Sequence, residues 1–332
     1  MGRLLSYHHM SHIFITGAAG FVGQRLCQLL DSRGFQVTAA VRHAGTAPPS
    51  AAAECVLGDL TRQPPLIPAL RSVDAVVHLA GRAHQVSRPS SDEQARFTAA
   101  NCTVTRHLAQ QAAAAGVKRF IFVSTIKVLG EQTNARPPFN DDDHADPVGA
   151  YACSKWAAEL ALRQVATATG MERVILRPPL LYGAGAKANL RRLANWIQRG
   201  YPLPFAAVDN RRNLLSVNNF CDLIATCLTH PAAAGECFVV ADHPPLSTPD
   251  LIRALAAALN CPARLWAVPI PLLRGLGYLS GQTAQIRRLC ESLEVDGSRV
   301  QRQLDWQPPM TFDAELTALA ADVINTAVLS KQ

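Results

Sequence analysis

Short apolar runs alternate with helically spaced stretches through the first half of this chain. The runs are Ile13-Phe14-Ile15, Val37-Thr38-Ala39-Ala40-Val41, Cys55-Val56-Leu57, Ala75-Val76-Val77, Phe120-Ile121-Phe122-Val123 and Val174-Ile175-Leu176. Most lack polar alternation, which predicts parallel strands buried on both faces. Between them, residues 92–115 read as a long helix ended by Gly116, and residues 151–168 as an alanine-rich helix. Strand and helix in alternation predict an α/β fold with a doubly wound parallel Rossmann sheet over residues 10–180.

Beyond residue 180 the alternation loosens. Helices are expected over 188–199, 219–228, 250–259, 281–292 and 312–328, with short strands at 214–217 and 237–240. Thr248 is the expected N-cap of the third of these, with Pro249 at its first position. The pattern describes a smaller α+β cap, residues 181–332, with about 214–230 returning to the first domain. Residues 1–9 fit no element and are expected to be a disordered extension.

Composition narrows the classes. The 332 residues are 48% apolar and 17% charged, a globular balance with room for two domains. No apolar run reaches the ~18 residues of a membrane span; Pro269, Pro271 and Arg274 interrupt the nearest one. The net charge of +7 is scattered and lacks interleaved aromatics, which favours anionic small molecules over nucleic acid. Nine cysteines without a Cys-x-x-Cys pair argue against a disulfide framework and a zinc site, and suit a reducing cytoplasm. His78 reads as a core histidine, and Asp141-Asp142-Asp143-His144 as a solvated loop; no metal is expected.

Chemistry enters at the first turn. After the first strand comes Thr16-Gly17-Ala18-Ala19-Gly20-Phe21-Val22-Gly23, followed by a helical pattern and a second strand. Gly17 permits the turn, Gly20 admits a pyrophosphate to the backbone, and Gly23 lets helix and sheet approach. The phosphates then meet the positive end of a helix dipole. About 20 residues on, where NAD enzymes place an acid on the ribose 2′-OH, stands Arg42. A guanidinium there suits a 2′-phosphate, so NADP is favoured over NAD. Asp59, after the third strand, either meets the adenine or caps the next turn.

The later motifs carry a resemblance. Gly58-Asp59-Leu60, His78-Leu79-Ala80-Gly81, Asn101, Ser124-Thr125-x-x-Val128-Leu129-Gly130, Tyr151-x-x-x-Lys155, Arg177-Pro178-Pro179-x-x-Tyr182-Gly183 and Leu304-Asp305-Trp306 follow the glycine turn in that order. Together they resemble the extended short-chain dehydrogenase/reductase family, in particular its nucleotide-sugar epimerase and dehydratase branch. The resemblance implies Tyr151 as acid/base, Lys155 as its electrostatic partner and ribose ligand, and Thr125 as hydrogen-bond donor to the substrate oxygen, with Ser124 beside it. A phenol near pKa ~10 is a poor base at neutral pH, so a cationic neighbour is needed. It further implies cofactor contacts from Ala19, Phe21, Val22, Leu60, Leu79, Ala80, Gly81, Asn101 and Pro178. Substrate contacts are implied for Asn189, Leu190 and Arg212, and Arg287 or Arg288 for a second phosphate.

Dehydratases of this branch carry Asp-Glu just after the threonine. This chain has Ile126-Lys127, so elimination is disfavoured. The expected activity is NAD(P)H-dependent reduction of a UDP-4-keto-6-deoxy-N-acetylhexosamine, as in enzymes of surface polysaccharide, O-antigen and lipopolysaccharide synthesis, to which the segments around Thr125 and Asn189 are similar. The alternative is a 4-epimerase with bound NAD; a non-catalytic NADP-binding regulator is a reading from another class. The family also implies a homodimer through the helices of 92–115 and 151–168.

Overall fold

The computed structural model describes residues 11–83, 91–186 and 189–329. The expected extension at 1–9 lies outside them. The first elements are β1 (His12–Thr16), α1 (Phe21–Ser32), β2 (Gln36–Val41), β3 (Ala53–Val56), α2 (Ile67–Leu70) and β4 (Ala75–His78). Next come α3 (Ser91–Phe97), α4 (Val104–Ala114), β5 (Arg119–Val123), α5 (Gly149–Thr169) and β6 (Glu172–Arg177). The later chain supplies β7 (Leu180–Tyr182), α6 (Asn189–Gln198), β8 (Leu214–Ser216), α7 (Val217–Thr229) and β9 (Cys237–Val239). It ends with α8 (Thr248–Ala258), α9 (Ile270–Leu279), α10 (Thr283–Cys290), α11 (Ser298–Leu304) and α12 (Phe312–Leu329).

Two compact units result. The first takes the chain up to Val128, then Ala145–Arg177 and Cys221–Phe238. Its seven-stranded sheet has the order β3-β2-β1-β4-β5-β6-β9, and β3 through β6 pair in parallel. Phe14 stands opposite Val76, and Val76 opposite Phe120, so one row of large side chains crosses three strands on one face. Ala109 and Ala112 of α4 and Ala158 and Ala161 of α5 pack in that layer, small enough to let the helices lie close. The strand order reverses between β1 and β4, the switch point where α/β sheets bind ligands.

The second unit takes Leu129–His144, Pro178–Phe220 and the chain from Val239. Its β7 and β8 form a separate two-stranded parallel sheet. All nine cysteines are free, and five are buried. No helix among the described residues is long and apolar enough to cross a membrane.

Several elements differ from expectation. The helix over 92–115 is broken by a wide π-type turn at Thr98–Thr103, which swings Asn101 inward. The third strand stops at Val56 because Gly58 takes a left-handed conformation and Asp59 caps a 3₁₀ turn at Leu60–Arg62. Ser247 rather than Thr248 caps α8: its hydroxyl accepts the Asp250 amide at 3.1 Å, while Thr248 is buried and bonds the Leu289 carbonyl. Helix α9, which the prolines concealed, begins at Ile270 with Pro269 as its cap and Pro271 in its first turn, where a missing N–H costs little.

Candidate active site

The glycine turn forms a cradle at the switch point. Gly17 has φ +73°, and a Cβ on it would lie 2.8 Å from the Ala80 amide nitrogen, so the turns after β1 and β4 meet backbone to backbone. A Cβ on Gly23 would lie 2.3 Å from the Gly17 carbonyl oxygen, so α1 sits against the turn only with glycine there. Gly20 caps α1 without a side chain, and the first turn of α1 carries no acid. The positive helix end is therefore left to an external anion. This is a backbone cradle fit for a dinucleotide pyrophosphate.

A buried series of hydrogen bonds ties this cradle to α5. The Thr105 hydroxyl donates to the Asn101 carbonyl at 2.5 Å, so at its 3.0 Å contact with His78 Nε2 it accepts. His78 Nδ1 then accepts from the Thr16 hydroxyl at 2.6 Å, and that oxygen takes the Ala80 amide at 3.3 Å. Burial, with the Lys155 charge adding to it, pushes His78 down to about 3, so the ring is a neutral spacer. Asn101 accepts the Arg82 amide at 2.8 Å and donates to Ser154 Oγ at 2.9 Å. Ser154 Oγ in turn donates to the Tyr151 carbonyl at 2.7 Å. Asn101 thus clamps the turn after β4, where Leu79, Ala80 and Gly81 lie, to the start of α5.

On α5, Tyr151 and Lys155 are one turn apart on one face. The Tyr151 phenol is hydrogen-bonded to the Thr125 hydroxyl; burial raises it above the ordinary phenol range and the Thr125 bond pulls it part-way back. The Phe97 ring meets the Tyr151 ring edge-on at 6.0 Å. Lys155 is only 6% exposed; its ammonium donates to the Val123 carbonyl at 2.6 Å and lies 4.2 Å over the Phe122 ring. Burial pushes it down to about 7, with the Glu159 carboxylate opposing. In this state Lys155 is directed at the end of β5.

Ser124 and the same helical face reveal a pair that motif reasoning missed. Glu159, fully buried one further turn along α5, accepts from Ser124 Oγ at 2.5 Å and from Arg177 Nε and Nη2 at 3.1 and 2.7 Å. This fork joins α5, the end of β5 and the end of β6 behind Lys155. The interval of four from Tyr151 to Lys155 to Glu159 was the available signal: an acid continuing a face otherwise lined with alanine.

At the far edge of the sheet, Asp59 accepts the Thr61 amide and hydroxyl, and these bonds hold its carboxyl below the usual range, the nearby Arg42 contributing less. Arg42 is exposed just past β2. The loop that follows it is anchored by Glu54, which accepts the Gly45 and Ala47 amides at 2.9 and 3.0 Å.

In the second unit, Arg212 is largely buried and donates to the Glu291 carbonyl at 2.8 Å. Burial, then the Arg288 charge, lower its pKa, so two guanidiniums bear on one place. Arg287 is engaged elsewhere, with Nε 2.9 Å from the Glu291 carboxylate. Leu190 is buried on α6 and Pro178 is buried at the start of this unit; the Asn189 side chain lies outside the described residues.

Comparison with known proteins meets this geometry. Residues 13–241 match the model of the NAD dependent epimerase/dehydratase family. The chain belongs to that family. It is 39% identical over 304 residues to a UDP-glucose 4-epimerase of Vibrio cholerae, covering 90% of this chain and 92% of the relative. It is 27% identical to the N-acetyl-alpha-D-glucosaminyl-diphospho-ditrans,octacis-undecaprenol 4-epimerase of Escherichia coli O157:H7, covering 87% and 88%. Among solved structures, UDP-glucuronic acid 4-epimerase from Bacillus cereus in complex with NAD superposes with a TM-score of 0.76 at 20% identity, covering 95% of this chain and 99% of that one.

This epimerase/dehydratase family member is an NAD-dependent enzyme with a polar interior of its own in the second unit. Ser216 donates to Glu315 at 2.5 Å, and its backbone amide is held by Asp242 at 2.8 Å, which also accepts from Asn219. Ser216 ends β8 and Asn219 lies in the first turn of α7. Tyr182, His243 and Phe312 pack ring against ring beside them. In the first of the acidic loop residues, Asp141 accepts the Val239 amide, while Asp143 binds Arg136 and the Asn140 amide; each carboxylate has a separate partner.

Proposed function

We propose that the enzyme exchanges a hydride at C4 of a hexose carried on a nucleoside diphosphate, with the net outcome of 4-epimerisation of a UDP-hexose or UDP-N-acetylhexosamine. The observation that carries this reading is the Tyr151 phenol bonded to Thr125, one helical turn from Lys155. Both named relatives are 4-epimerases of diphosphate-linked sugars, which supports it.

Bound NAD would be held by the Gly17–Gly23 turn, by the corner at Leu79–Gly81 and by Lys155, and it supplies the hydride acceptor. Thr125 would orient the C4 oxygen, and Tyr151 would take its proton while the bound dinucleotide supplies the acceptor for the C4 hydride. A buried phenolate is unfavourable alone. Lys155, set near neutrality, is poised to carry a proton when negative charge forms beside it, since each charge favours the other. The alcohol would be restored only when hydride comes back to C4 and the same phenol returns the proton, and the face of the ketone presented would set the stereochemical outcome. Ile126-Lys127, in place of an acid pair, leaves elimination without its acid and base. Within the second unit, Arg212 and Arg288 bring two guanidiniums to one place, the kind of charge a diphosphate takes.

A second reading rests on Arg42. Exposed beside a loop pinned by Glu54, it suits a 2′-phosphate and so a dissociable NADPH, which fits a 4-keto reductase for surface polysaccharide precursors. One experiment separates the two. The purified protein is given UDP-galactose or UDP-N-acetylgalactosamine without coenzyme, and in parallel UDP-4-keto-6-deoxy-N-acetylglucosamine with NADPH or NADH. Interconversion of the hexoses supports the epimerase, and NADPH oxidation with the keto sugar supports the reductase. Tight dinucleotide binding with neither reaction overturns both and leaves a non-catalytic NADP-binding regulator.

A further inference from the structure

The second unit exposes apolar surface most densely at one place. Of the seven large apolar side chains that are more than half exposed among the described residues, five lie in one short segment: Trp266 at 65%, Leu272 at 56%, Leu276 at 54%, Tyr278 at 78% and Leu279 at 82%. Leu273 and Gly277 form the inner face of α9, where a Cβ on Gly277 would come 2.7 Å from Ile286 of α10. Leu272, Leu276 and Leu279, at intervals of four and three, make a second apolar stripe on an adjoining, outward side. A helix bound only for water places charge there.

The charge along the sequence of this hairpin is one-sided. Between Asp250 and Glu291 the chain has no acidic residue but five arginines: Arg253, Arg264, Arg274, Arg287 and Arg288. Arg253 and Arg287 pair with the two flanking acids and Arg288 bears on Arg212, so the cations left over are Arg264 and Arg274, beside and within α9. At ten residues α9 is about 15 Å long, far short of the ~30 Å of a hydrocarbon core, so it can lie on a bilayer but not cross one.

We propose that the α9–α10 hairpin is a membrane-surface anchor, with its leucine stripe set into the acyl boundary, Tyr278 and Trp266 at headgroup level and Arg264 and Arg274 against anionic phospholipid. A second copy of the chain fits less well, because it would bring the same uncompensated arginines together. The proposal is independent of which sugar reaction the enzyme performs.

The test is co-sedimentation of the full-length protein with vesicles of phosphatidylcholine alone or of an equimolar mixture with phosphatidylglycerol. Binding to the anionic vesicles should exceed binding to the neutral ones by about tenfold and weaken with salt. Leu272→Gln with Leu276→Gln and Leu279→Gln should lose about tenfold or more of that binding while UDP-sugar turnover is unchanged. In a second measurement, bromine-labelled lipid should quench tryptophan fluorescence of the wild type and quench Trp266→Phe less. Absence of wild-type binding, equal binding by the triple variant, equal quenching of Trp266→Phe, or a wild-type dimer that the triple variant dissolves without any lipid effect would each overturn the anchor.

Discussion

The two units treat their buried polar groups differently. In the sheet unit, Thr16, His78, Thr105, Asn101 and Ser154 hand hydrogen bonds from one to the next, and Glu159 is forked by Arg177. In the second unit, Tyr182 Oη and Glu315 Oε1 are buried without a hydrogen-bond partner among the described residues, and Asp242 Oδ1 faces His243 Nε2 only at ion-pair distance, 3.7 Å; in the sheet unit the comparable atoms, Arg82 Nε and Arg163 Nε, stand outside the bonded series. Burial raises the Tyr182 phenol and the Asp242 carboxyl. A satisfied network holds one geometry, whereas an unsatisfied one costs stability and permits rearrangement. The contrast places the bonded series around Tyr151 and Lys155 and the unpaired groups in the interior of the other unit.

The strongest test of that contrast is functional. Tyr151→Phe should lower turnover by about 10²–10⁴ while dinucleotide binding, read by fluorescence titration, stays near the wild-type value. Turnover within tenfold of wild type would remove the sheet unit's network from the chemistry. Next in size, Arg177→Met strands Glu159 and should cost roughly 3–5 kcal/mol in a denaturant titration. A loss under about 1 kcal/mol would show the fork to be as slack as the second unit's cluster.

A pH series sharpens the comparison because the two regions slope in opposite directions. Lys155 titrates at about 7 in the fold against 10.5 ordinarily, so between those values the unfolded chain binds the extra proton. Stability from this site therefore rises with pH through that window and is lost as pH falls toward 7; Lys155→Met should lack the rise. Asp242 is raised, so its site loses stability as pH climbs past the ordinary 3.8, and Asp242→Asn should lack that fall. Matching slopes in wild type and variants, followed by thermal melts, would contradict both assignments. The smallest effect is expected of Tyr182→Phe, which removes a hydroxyl that has no partner and should change stability by less than ~1 kcal/mol or raise it. A loss of several kcal/mol would mean that the second unit's cluster is as tightly bonded as the first.

Much of the sheet unit was legible because its signals are local. Apolar runs of strand length and glycines three apart are set within a few residues, and so is the Tyr151–Lys155 interval. The Glu159–Arg177 fork was not, since its partners stand 18 positions apart and meet only when α5 packs on β6. The π-type turn at Asn101 escaped for a related reason: the helical pattern continues through it, and only the inward pull of the Arg82 and Ser154 contacts marks it. Helix α9 was hidden because proline signals a break in the abstract but is tolerated in a first turn.

Residue order alone determined that this chain builds a dinucleotide cradle and carries a phenol, an amine and a hydroxyl at fixed intervals, because backbone freedom and helical period act over short distances. Tertiary packing decided the electrical state of those groups. Lys155 is near neutrality because burial removes its hydration, Tyr151 keeps its proton for the same cause, and Arg288 rather than Arg287 bears on Arg212 because Glu291 holds the other. Charge and solvation depend on neighbours in space, which no interval along the chain specifies.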